Sequence, residues 1–264
     1  MDTFIRTDHA ESASLAEALA AAGIDGADAE ALSRGAPAPT GRFEADRESF
    51  AAYWRKSRAV LDRLPAKPRR DERAHRAAEA LNGAARAART AFLEAHVETI
   101  YRRLTADLGR YERLEKLVYD AAELVPGLTP SRADVARELQ QLHAEKEGFE
   151  IDQGLFLARL MAHEPLGLHL CHAMLLPLPE SAARLDEFAR TGRVDLGKAS
   201  VERRGAAAIV TMRNPGALNA EDGSTVGPLE TAIDLALLDP ASKICVLRGG
   251  PVEHPKFGGR RMFG

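Results

Sequence analysis

The sequence has 264 residues, 45% of them hydrophobic, with a formal net charge of −3 and a pI near 6.3. This length and apolar content suffice for one large domain or two ordinary ones, which argues against a wholly disordered chain. The small negative charge provides no cationic surface of the kind that nucleic-acid binders need, so we expect no nucleic-acid partner.

Targeting and redox signals are also weak. No apolar run approaches the roughly 18 residues of a membrane span, and the N-terminus lacks the basic start and apolar stretch of a secretory signal. Cys171 and Cys245 both lie in apolar segments, which suits buried thiols in a reducing compartment better than a disulfide. We therefore expect a cytoplasmic protein without membrane contact.

Helical patterns dominate the first three quarters of the chain. Residues 14–22 form a short alanine-rich helix, and a mixture of Gly, Pro and Ala up to Gly41 predicts a weakly held, linker-like segment. Asp46 is the predicted cap of the next helix, which extends to Leu64 and carries the single tryptophan, Trp54, as a core anchor. The apolar residues expected on its buried face are Phe50, Tyr53, Trp54, Val60, Leu61 and Leu64.

The longest helical pattern covers residues 69–108, although Gly83 lowers its helix propensity by about 1 kcal/mol. Its apolar stripe consists of Leu81, Ala85, Ala88, Phe92, Ile100 and Leu104. Ser131 is the predicted cap of a later helix, and Gly192 is the residue that stops the last one. These further helices are predicted over residues 111–124, 131–147, 152–162, 165–175 and 181–191.

Strand patterns of useful length appear only after residue 199. Residues 206–212 are apolar and end in β-branched types before the turn formers Asn214-Pro215-Gly216, which predicts a buried strand. A helix follows and stops at Asp239-Pro240, and residues 242–247 predict a second buried strand. Leu229, Ile233, Ala236 and Leu237 have the spacing of that helix's buried face. Strand, helix and strand in this order form a right-handed βαβ unit with parallel strands.

The sequence therefore predicts an α+β protein, with an all-helical N-terminal domain over residues 1–195 and the first βαβ unit of an α/β core over residues 196–264. No internal repeat has a fixed period.

Two features resemble sites without meeting their requirements. The segment from Gly192 to Lys198 has P-loop spacing, but Ala199 stands where Ser or Thr should hold Mg²⁺, and the order is helix into strand. A helix stop followed by a linker is the better interpretation. His163, His169, Cys171 and His172 crowd a short segment that resembles half a metal site. Pro165 separates His163 from the pair His169 and His172, so we interpret the histidines as core or interface residues and expect no metal.

Motifs in the last quarter carry a family resemblance. The segments NPGALNAED (214–222), DPASKICVLRGG (239–250) and GGPVEHPKFGGRRMFG (249–264), with the strands and helix between them, resemble the opening of the crotonase (enoyl-CoA hydratase/isomerase) fold. This resemblance covers about the last 65 residues. With the long helical extension, the whole chain is most similar to the 3,5-dihydroxyphenylacetyl-CoA 1,2-dioxygenases of glycopeptide-antibiotic pathways.

The resemblance implies an activity. Such an enzyme converts 3,5-dihydroxyphenylacetyl-CoA and O₂ into 3,5-dihydroxyphenylglyoxylate and CoA, with no metal or organic cofactor. It also implies a homo-oligomer, a trimer or a hexamer. Crotonase-like proteins bind an acyl-CoA and stabilise an enolate in an oxyanion hole of two backbone N–H groups.

The resemblance assigns two catalytic residues. Glu221 matches a glutamate that hydrogen-bonds a ring hydroxyl, where a carboxylate raises the electron density of the ring. His254 matches a histidine near the thioester and the oxygen, where an imidazole could assist proton transfer near neutral pH. From the residues alone, the more frequent role is a solvated acid at a helix N-terminus for Glu221 and an ordinary loop histidine for His254.

The CoA part of the substrate is assigned to the same region by resemblance. Small residues in a turn allow a ligand to approach the backbone closely. Lys256 could meet a CoA phosphate or could simply be surface charge. The residues assigned to CoA are Ala217, Leu218, Ala220, Lys256, Phe257, Gly258, Phe263 and Gly264.

We further expect the chain to be a fragment, because both oxyanion donors of the family would lie beyond Gly264. A separate C-terminal fragment is then a further partner, and the chain alone should be inactive. Two alternatives stay open: an ordinary acyl-CoA hydratase or isomerase of the same superfamily, and a helical interaction module without catalysis.

Overall fold

The structure, a computed structural model, describes residues 14–24, 26–253 and 261–263. The chain divides into two compact units, Met1–Met174 and Leu175–Gly264. This division lies earlier than the sequence-based boundary at residue 195, because the helix over Pro179–Thr191 packs against strands and a helix of the second unit. That helix is therefore a layer of the α/β unit.

The described part of the first unit is helical. Its α-helices are α1 (Leu15–Ala21), α2 (Ala27–Ser33), α3 (Phe43–Leu61), α4 (Glu72–Leu104), α5 (Leu114–Leu124), α6 (Arg132–Leu139), α7 (Glu150–Met161) and α8 (Glu164–Met174), with single 3₁₀ turns at Lys67–Arg69 and His143–Glu145. The helix α2 lies in the segment predicted to be linker-like, so that prediction is wrong there. Ser131 does cap α6, through a reciprocal capping box with Asp134.

The predicted helix over residues 131–147 ends early, at Leu139, and Glu138 explains the difference. Its buried carboxylate accepts hydrogen bonds from the backbone N–H groups of Glu147, Gly148 and Phe149, at 2.7 to 3.0 Å. These bonds hold the chain in a return loop and satisfy donors at the start of α7.

The core of the first unit lies between α3 and α4 and the helices packed on them. The predicted stripe of α4 is confirmed, since its members from Leu81 to Ile100 are buried and Leu104 packs against the core. Trp54 is buried as well, and its Nε1–H donates to the carbonyl of Ala85 at 3.3 Å. The indole thus fixes α3 against the middle of α4.

Asp46 does not cap its helix, contrary to the sequence-based prediction. Because α3 begins at Phe43, Asp46 lies in the first turn with its side chain only 1% exposed. Its carboxylate accepts from Thr40 N and Oγ1 and from Gly41 N, and one carboxylate oxygen lies 2.7 Å from His96 Nε2 of α4. The residue therefore joins the loop before α3 to α4.

Two glycines of this unit should respond in opposite ways to alanine. Gly83 is exposed inside α4 with open space around it, so Gly83→Ala should raise the free energy of unfolding by about 0.5–1 kcal/mol. Gly127 has φ +88°, and an added Cβ would lie 2.9 Å from Trp54 Cβ, so Gly127→Ala should destabilise the protein. Urea unfolding followed by Trp54 fluorescence measures the free energy of unfolding of both variants. Equal changes in the two variants would contradict the opposite effects expected here.

The second unit is a sheet with two helices. Its elements are α9 (Pro179–Thr191), β1 (Arg193–Asp195), β2 (Ala199–Arg204), β3 (Ala207–Met212), α10 (Val226–Leu238), β4 (Ile244–Gly249), β5 (Pro251–Glu253) and β6 (Arg261–Phe263), with a 3₁₀ turn at Pro215–Ala217. The first four strands form one sheet in the order β1-β2-β3-β4. β1, β2 and β3 are antiparallel neighbours, whereas β3 and β4 are parallel. The predicted parallel βαβ unit is thus confirmed as β3–α10–β4, and β1 and β2 extend it into a mixed sheet.

The segment with P-loop spacing forms a helix stop and a hairpin. Gly192 ends α9 in the left-handed conformation, as predicted, with φ +66°. The predicted linker is instead β1 and the turn into β2, where Gly197 also has positive φ and its N–H donates to Asp195 Oδ1 at 2.9 Å. The segment therefore shapes the edge of the sheet.

Helices cover one face of the sheet over β2 and β3, but the strand β4 at the edge of the sheet is exposed. Ala199, Val201, Ala208 and Val210 are fully buried with Phe188 of α9 and with residues of α10. In β4, by contrast, Ile244 is 60% and Leu247 54% exposed. Three predictions fail in this region. The second predicted strand forms as β4 but is not buried, Leu237 lies outside the buried face of α10, and Cys245 is exposed, as is Cys171 in the first unit.

None of the helices in the described ranges is long and apolar enough to cross a membrane.

Candidate functional site

The candidate site is the loop between β3 and α10, at the carboxyl ends of the parallel strands β3 and β4. In open α/β sheets this edge is where ligands usually bind. The loop contains the turn at Pro215–Ala217, which packs against β5. Leu218 and Asn219 follow with φ of +54° and +60°, a left-handed backbone that few residues adopt without strain.

Asn219 ties this loop to the end of β4. Its Oδ1 accepts from Asn214 N at 2.8 Å, and its Nδ2 donates to the Gly250 carbonyl at 2.7 Å. Gly250 N–H in turn donates to Met212 O at 2.7 Å. A side chain at Gly250 would lie 3.1 Å from Met212 O and from Arg213 Cγ, so glycine permits this close approach.

Asn214 organises the other side of the loop. Its Nδ2 donates to the Ala220 carbonyl and to Asp222 Oδ2, both at 2.9 Å, while its Oδ1 accepts from Lys198 Nζ at 3.0 Å. Hydrogen bonds from the Ser224 hydroxyl and backbone N–H, and then from Asn214, lower the pKa of Asp222. Asp222 is thus a structural acid, fixed as an anion in the turn before α10.

Glu221 is exposed, and no described residue hydrogen-bonds its carboxylate. Ala217, Leu218 and Ala220 are exposed in the same loop, so the structure brings four of the assigned residues to one edge. The pairing of β5 with β6 places the backbone of Phe263 opposite Pro251, next to Gly250. His254, Lys256, Phe257, Gly258 and Gly264 lie outside the described residues.

A known protein matches this chain. Over 218 residues, which are 83% of this chain and 50% of the relative, the chain is 44% identical to the (3,5-dihydroxyphenyl)acetyl-CoA 1,2-dioxygenase of Amycolatopsis orientalis. The chain spans about half the length of that relative. A scan against protein-family models finds no match.

The sequence analysis named Asn214 only as a turn former and did not single out Asn219, although both residues shape the loop. The available signal was the residue type, because asparagine tolerates left-handed backbone and bonds neighbouring peptide groups. Two cations at the same edge were also missed: Lys198, which contacts Asn214, and Arg213, which contacts Asp195 and the Ala199 carbonyl. The bond from Arg213 is the main cause of the lowered pKa of Asp195.

The histidines of α8 and the segment before it form no metal site in the described part of the chain, where no cluster of three potential ligands occurs. His169 lies between Tyr101 and the backbone of Leu108, with its Nδ1 2.9 Å from the Tyr101 hydroxyl and its Nε2 3.0 Å from the Leu108 carbonyl. His163 lies 3.7 Å from a carboxylate oxygen of Glu98. His169 is thus a structural link, as the sequence analysis predicted, whereas His172 is exposed on α8 and does not lie in the core.

Asn219 should be essential for the shape of the loop. Asn219→Ala leaves Asn214 N–H and the Gly250 carbonyl without partners and places alanine in the left-handed region, which together should cost about 2–4 kcal/mol. Amide hydrogen exchange over β3 and β4 measures the loss. Asn219→Gly relieves the backbone strain alone, so it should recover only about 1 kcal/mol. Full recovery with glycine would show that the two side-chain bonds contribute nothing.

Proposed function

We propose that this chain is part of a dioxygenase that acts on 3,5-dihydroxyphenylacetyl-CoA. The observation that carries the proposal is its 44% identity to a (3,5-dihydroxyphenyl)acetyl-CoA 1,2-dioxygenase over 218 residues. This length exceeds that of either compact unit, so the similarity includes both. The βαβ unit, which the crotonase superfamily shares by resemblance, supports the same proposal.

The proposed reaction needs no further reactant. The CH₂ group next to the thioester is oxidised by O₂ to a ketone, the C–S bond breaks, and the acyl carbon becomes a carboxylic acid. Both oxygen atoms enter the aryl glyoxylate, and the two CH₂ hydrogens end on the carboxyl and on the CoA thiol. O₂ accepts all four electrons, so the reaction balances without an organic cofactor or a metal.

We assign the roles of the loop residues within this reaction. Glu221 is exposed beside the rigid turn and accepts a hydrogen bond from a ring hydroxyl, which raises the electron density of the ring. Ala217, Leu218 and Ala220, with the segment containing Lys256, Phe257, Gly258, Phe263 and Gly264, contact the CoA part of the substrate. His254 assists proton transfer near the thioester.

We also propose that the active assembly needs further polypeptide. The relative is about twice as long as its matched part, and the apolar strand β4 is exposed here. A polypeptide equivalent to the unmatched half would pair with β4 and supply the oxyanion donors, and loss of even one such donor typically lowers the rate about 10²–10³-fold. We further propose that the assembly is a homo-oligomer, either a trimer or a hexamer. It would be located in the cytoplasm and take part in antibiotic biosynthesis.

The test is an assay of thioester cleavage and O₂ uptake with 3,5-dihydroxyphenylacetyl-CoA. The chain is assayed alone, then with a separately produced polypeptide equivalent to the unmatched half of the relative. We expect turnover only with both, and unchanged turnover after chelation of metals. Glu221→Gln should lower turnover of the dihydroxyphenyl substrate more than that of phenylacetyl-CoA, which lacks the ring hydroxyls. Hydration of an enoyl-CoA without O₂ uptake would overturn the proposal, as would the absence of turnover from a folded two-part assembly.

A further inference from the structure

The helical unit contains a cleft that the proposed reaction does not use. It has a volume of about 530 Å³ and lies between α3, α4, α7 and the loop that leads into α6. Cavities of about 300–1,000 Å³ are typical of sites for small organic molecules. Its walls include the single tryptophan of the chain, Trp54, together with Leu81, Ala85 and Phe149.

The charged residues of the cleft are unbalanced. Arg55, Arg58, Arg86 and Arg89 line it together with Asp62, Asp134 and Asp152, which leaves one net positive charge. The aspartates already have partners within the fold: Asp152 lies 3.4 Å from Arg86 and 3.2 Å from Arg89, and Asp134 lies 3.2 Å from Arg58.

Three of these arginines retain hydrogen-bond donors. Arg58 uses Nε and Nη2 on Asp62 and Asp134, and Arg86 uses the same atoms on Asp152 and the Gly148 carbonyl. Arg89 uses Nε on the carbonyls of Gly127 and Leu128 and Nη2 on Asp152. Within the described chain, Nη1 donates no hydrogen bond in any of the three. Their side chains are 13–31% exposed.

The arginines also repel one another. Burial lowers the pKa of Arg89, Asp152 counteracts this, and Arg86 and Arg58 add to the lowering. Burial likewise raises the pKa of Asp152 in spite of the two arginines beside it. An anion between the guanidinium groups would relieve the repulsion that the existing carboxylates leave.

We propose that this cleft binds a small organic monoanion, a carboxylate attached to an apolar body about the size of one ring. The carboxylate would accept from the free arginine donors, and the body would lie against the apolar wall. A dianion such as a phosphate ester fits less well, because Asp134 and Asp152 face the same space and would repel the second charge. The inference is independent of the proposed dioxygenase function.

The experiment is a titration of the protein with phenylacetate, followed by Trp54 fluorescence, which reports on the cleft because no other tryptophan exists in the chain. Phenylacetamide keeps the ring without the charge, and acetate keeps the charge without the ring. We expect a saturable change with phenylacetate and at least tenfold weaker responses with the other two. A non-saturating response to phenylacetate, or equal responses to all three compounds, would overturn the proposal.

Variants locate the binding. Arg58→Gln should weaken phenylacetate binding at least tenfold, while Arg63→Gln, which removes an exposed arginine just after α3, should leave it unchanged. Ala122→Leu keeps every charge but fills space in the cleft, so it should also weaken binding at least tenfold and remains informative if Arg58→Gln does not fold. Unchanged binding in Ala122→Leu would place the ligand elsewhere and refute the assignment.

Discussion

Replacement of Asp46 by alanine is expected to destabilise the protein by about 3–5 kcal/mol, one of the largest effects for a single polar residue of this chain. The carboxylate is buried, and it is the shared acceptor for Thr40, Gly41 and His96. Its removal leaves these donors in an apolar surrounding, where Phe43 and Phe92 pack against the His96 ring at centroid distances of 5.5 and 4.9 Å. Urea unfolding followed by Trp54 fluorescence measures the loss.

The control for this variant is Glu48→Ala. Glu48 lies on the same helix, is exposed, and has no hydrogen bond to a described residue, so its replacement should change the free energy of unfolding by less than about 0.5 kcal/mol. If Asp46→Ala were as mild as this control, the buried bonds would contribute no net stability.

The contribution of Asp46 should also depend on pH. Burial alone would raise the pKa of Asp46, but hydrogen bonds from Thr40 and His96 outweigh burial and lower it from 3.8 to about 2. A carboxyl group with a lowered pKa stabilises the fold above its unfolded value near 3.8, and this stability disappears as the pH falls towards 2. The difference between the wild-type chain and Asp46→Ala should therefore shrink by about 2 kcal/mol between pH 7 and pH 2.

The role of Asp46 shows where sequence analysis of the fold reaches its limit. The apolar stripe of α4, the Ser131 cap and the stop at Gly192 were predictable because each depends on residues within a few positions. Asp46 was predicted to cap α3, whereas it accepts from Thr40 and Gly41 of the preceding loop and pairs with His96, which is fifty positions away and leaves no local signal.

The second unit illustrates the same limit. β2 carries Glu202, Arg203 and Arg204, a polar run that does not predict a strand. Arg203 instead donates to Asp239 at 2.7 Å and to the Phe188 carbonyl at 3.2 Å, so its polarity serves contacts with the chain after α10 and with α9.

The place of the candidate loop in the fold was predictable, whereas the contacts that hold it were not. The turn motif placed Ala217, Leu218, Ala220 and Glu221 at the loop after β3, where the structure has them. The link from Asn219 to Gly250 spans 31 positions and depends on β4 lying beside β3. The exposure of Cys245 was missed for a related reason, since an apolar pattern indicates a preference for burial and does not reveal which layer covers the strand.

The uncovered strand β4 leads to the other large expected effect. In the described sheet, β4 pairs only with β3, and its second edge is open. The register of β3 and β4 pairs Val210 with Leu247, so both side chains lie on the same face of the sheet, and Ile244 lies on the opposite face. Leu247 and Ile244 are nevertheless both exposed. Parallel strands are normally buried on both faces. If a polypeptide equivalent to the unmatched half of the relative completes the sheet, both side chains become buried.

Leu247→Lys and Ile244→Lys should then each lower the activity of the two-part assembly at least about a hundredfold at limiting concentrations of the second polypeptide. Burial of an unpaired lysine at such an interface costs about 3 kcal/mol or more, which corresponds to an affinity about a hundredfold lower. The same variants should keep the isolated chain more soluble, because charge on an open edge opposes strand-to-strand aggregation. The assay is O₂ uptake as a function of the concentration of the second polypeptide.

Leu247→Ile and Ile244→Val are the matched controls, since they keep an apolar side chain of similar shape. The concentration of second polypeptide needed for half-maximal activity should stay within about threefold of that for the original chain. A lysine variant whose activity can be restored by excess second polypeptide has lost association, whereas one that stays inactive at saturation has lost the geometry of the site. Lysine variants that titrate like these controls would mean that β4 stays exposed in the active assembly, and the proposed completion of the sheet at this edge would then be wrong.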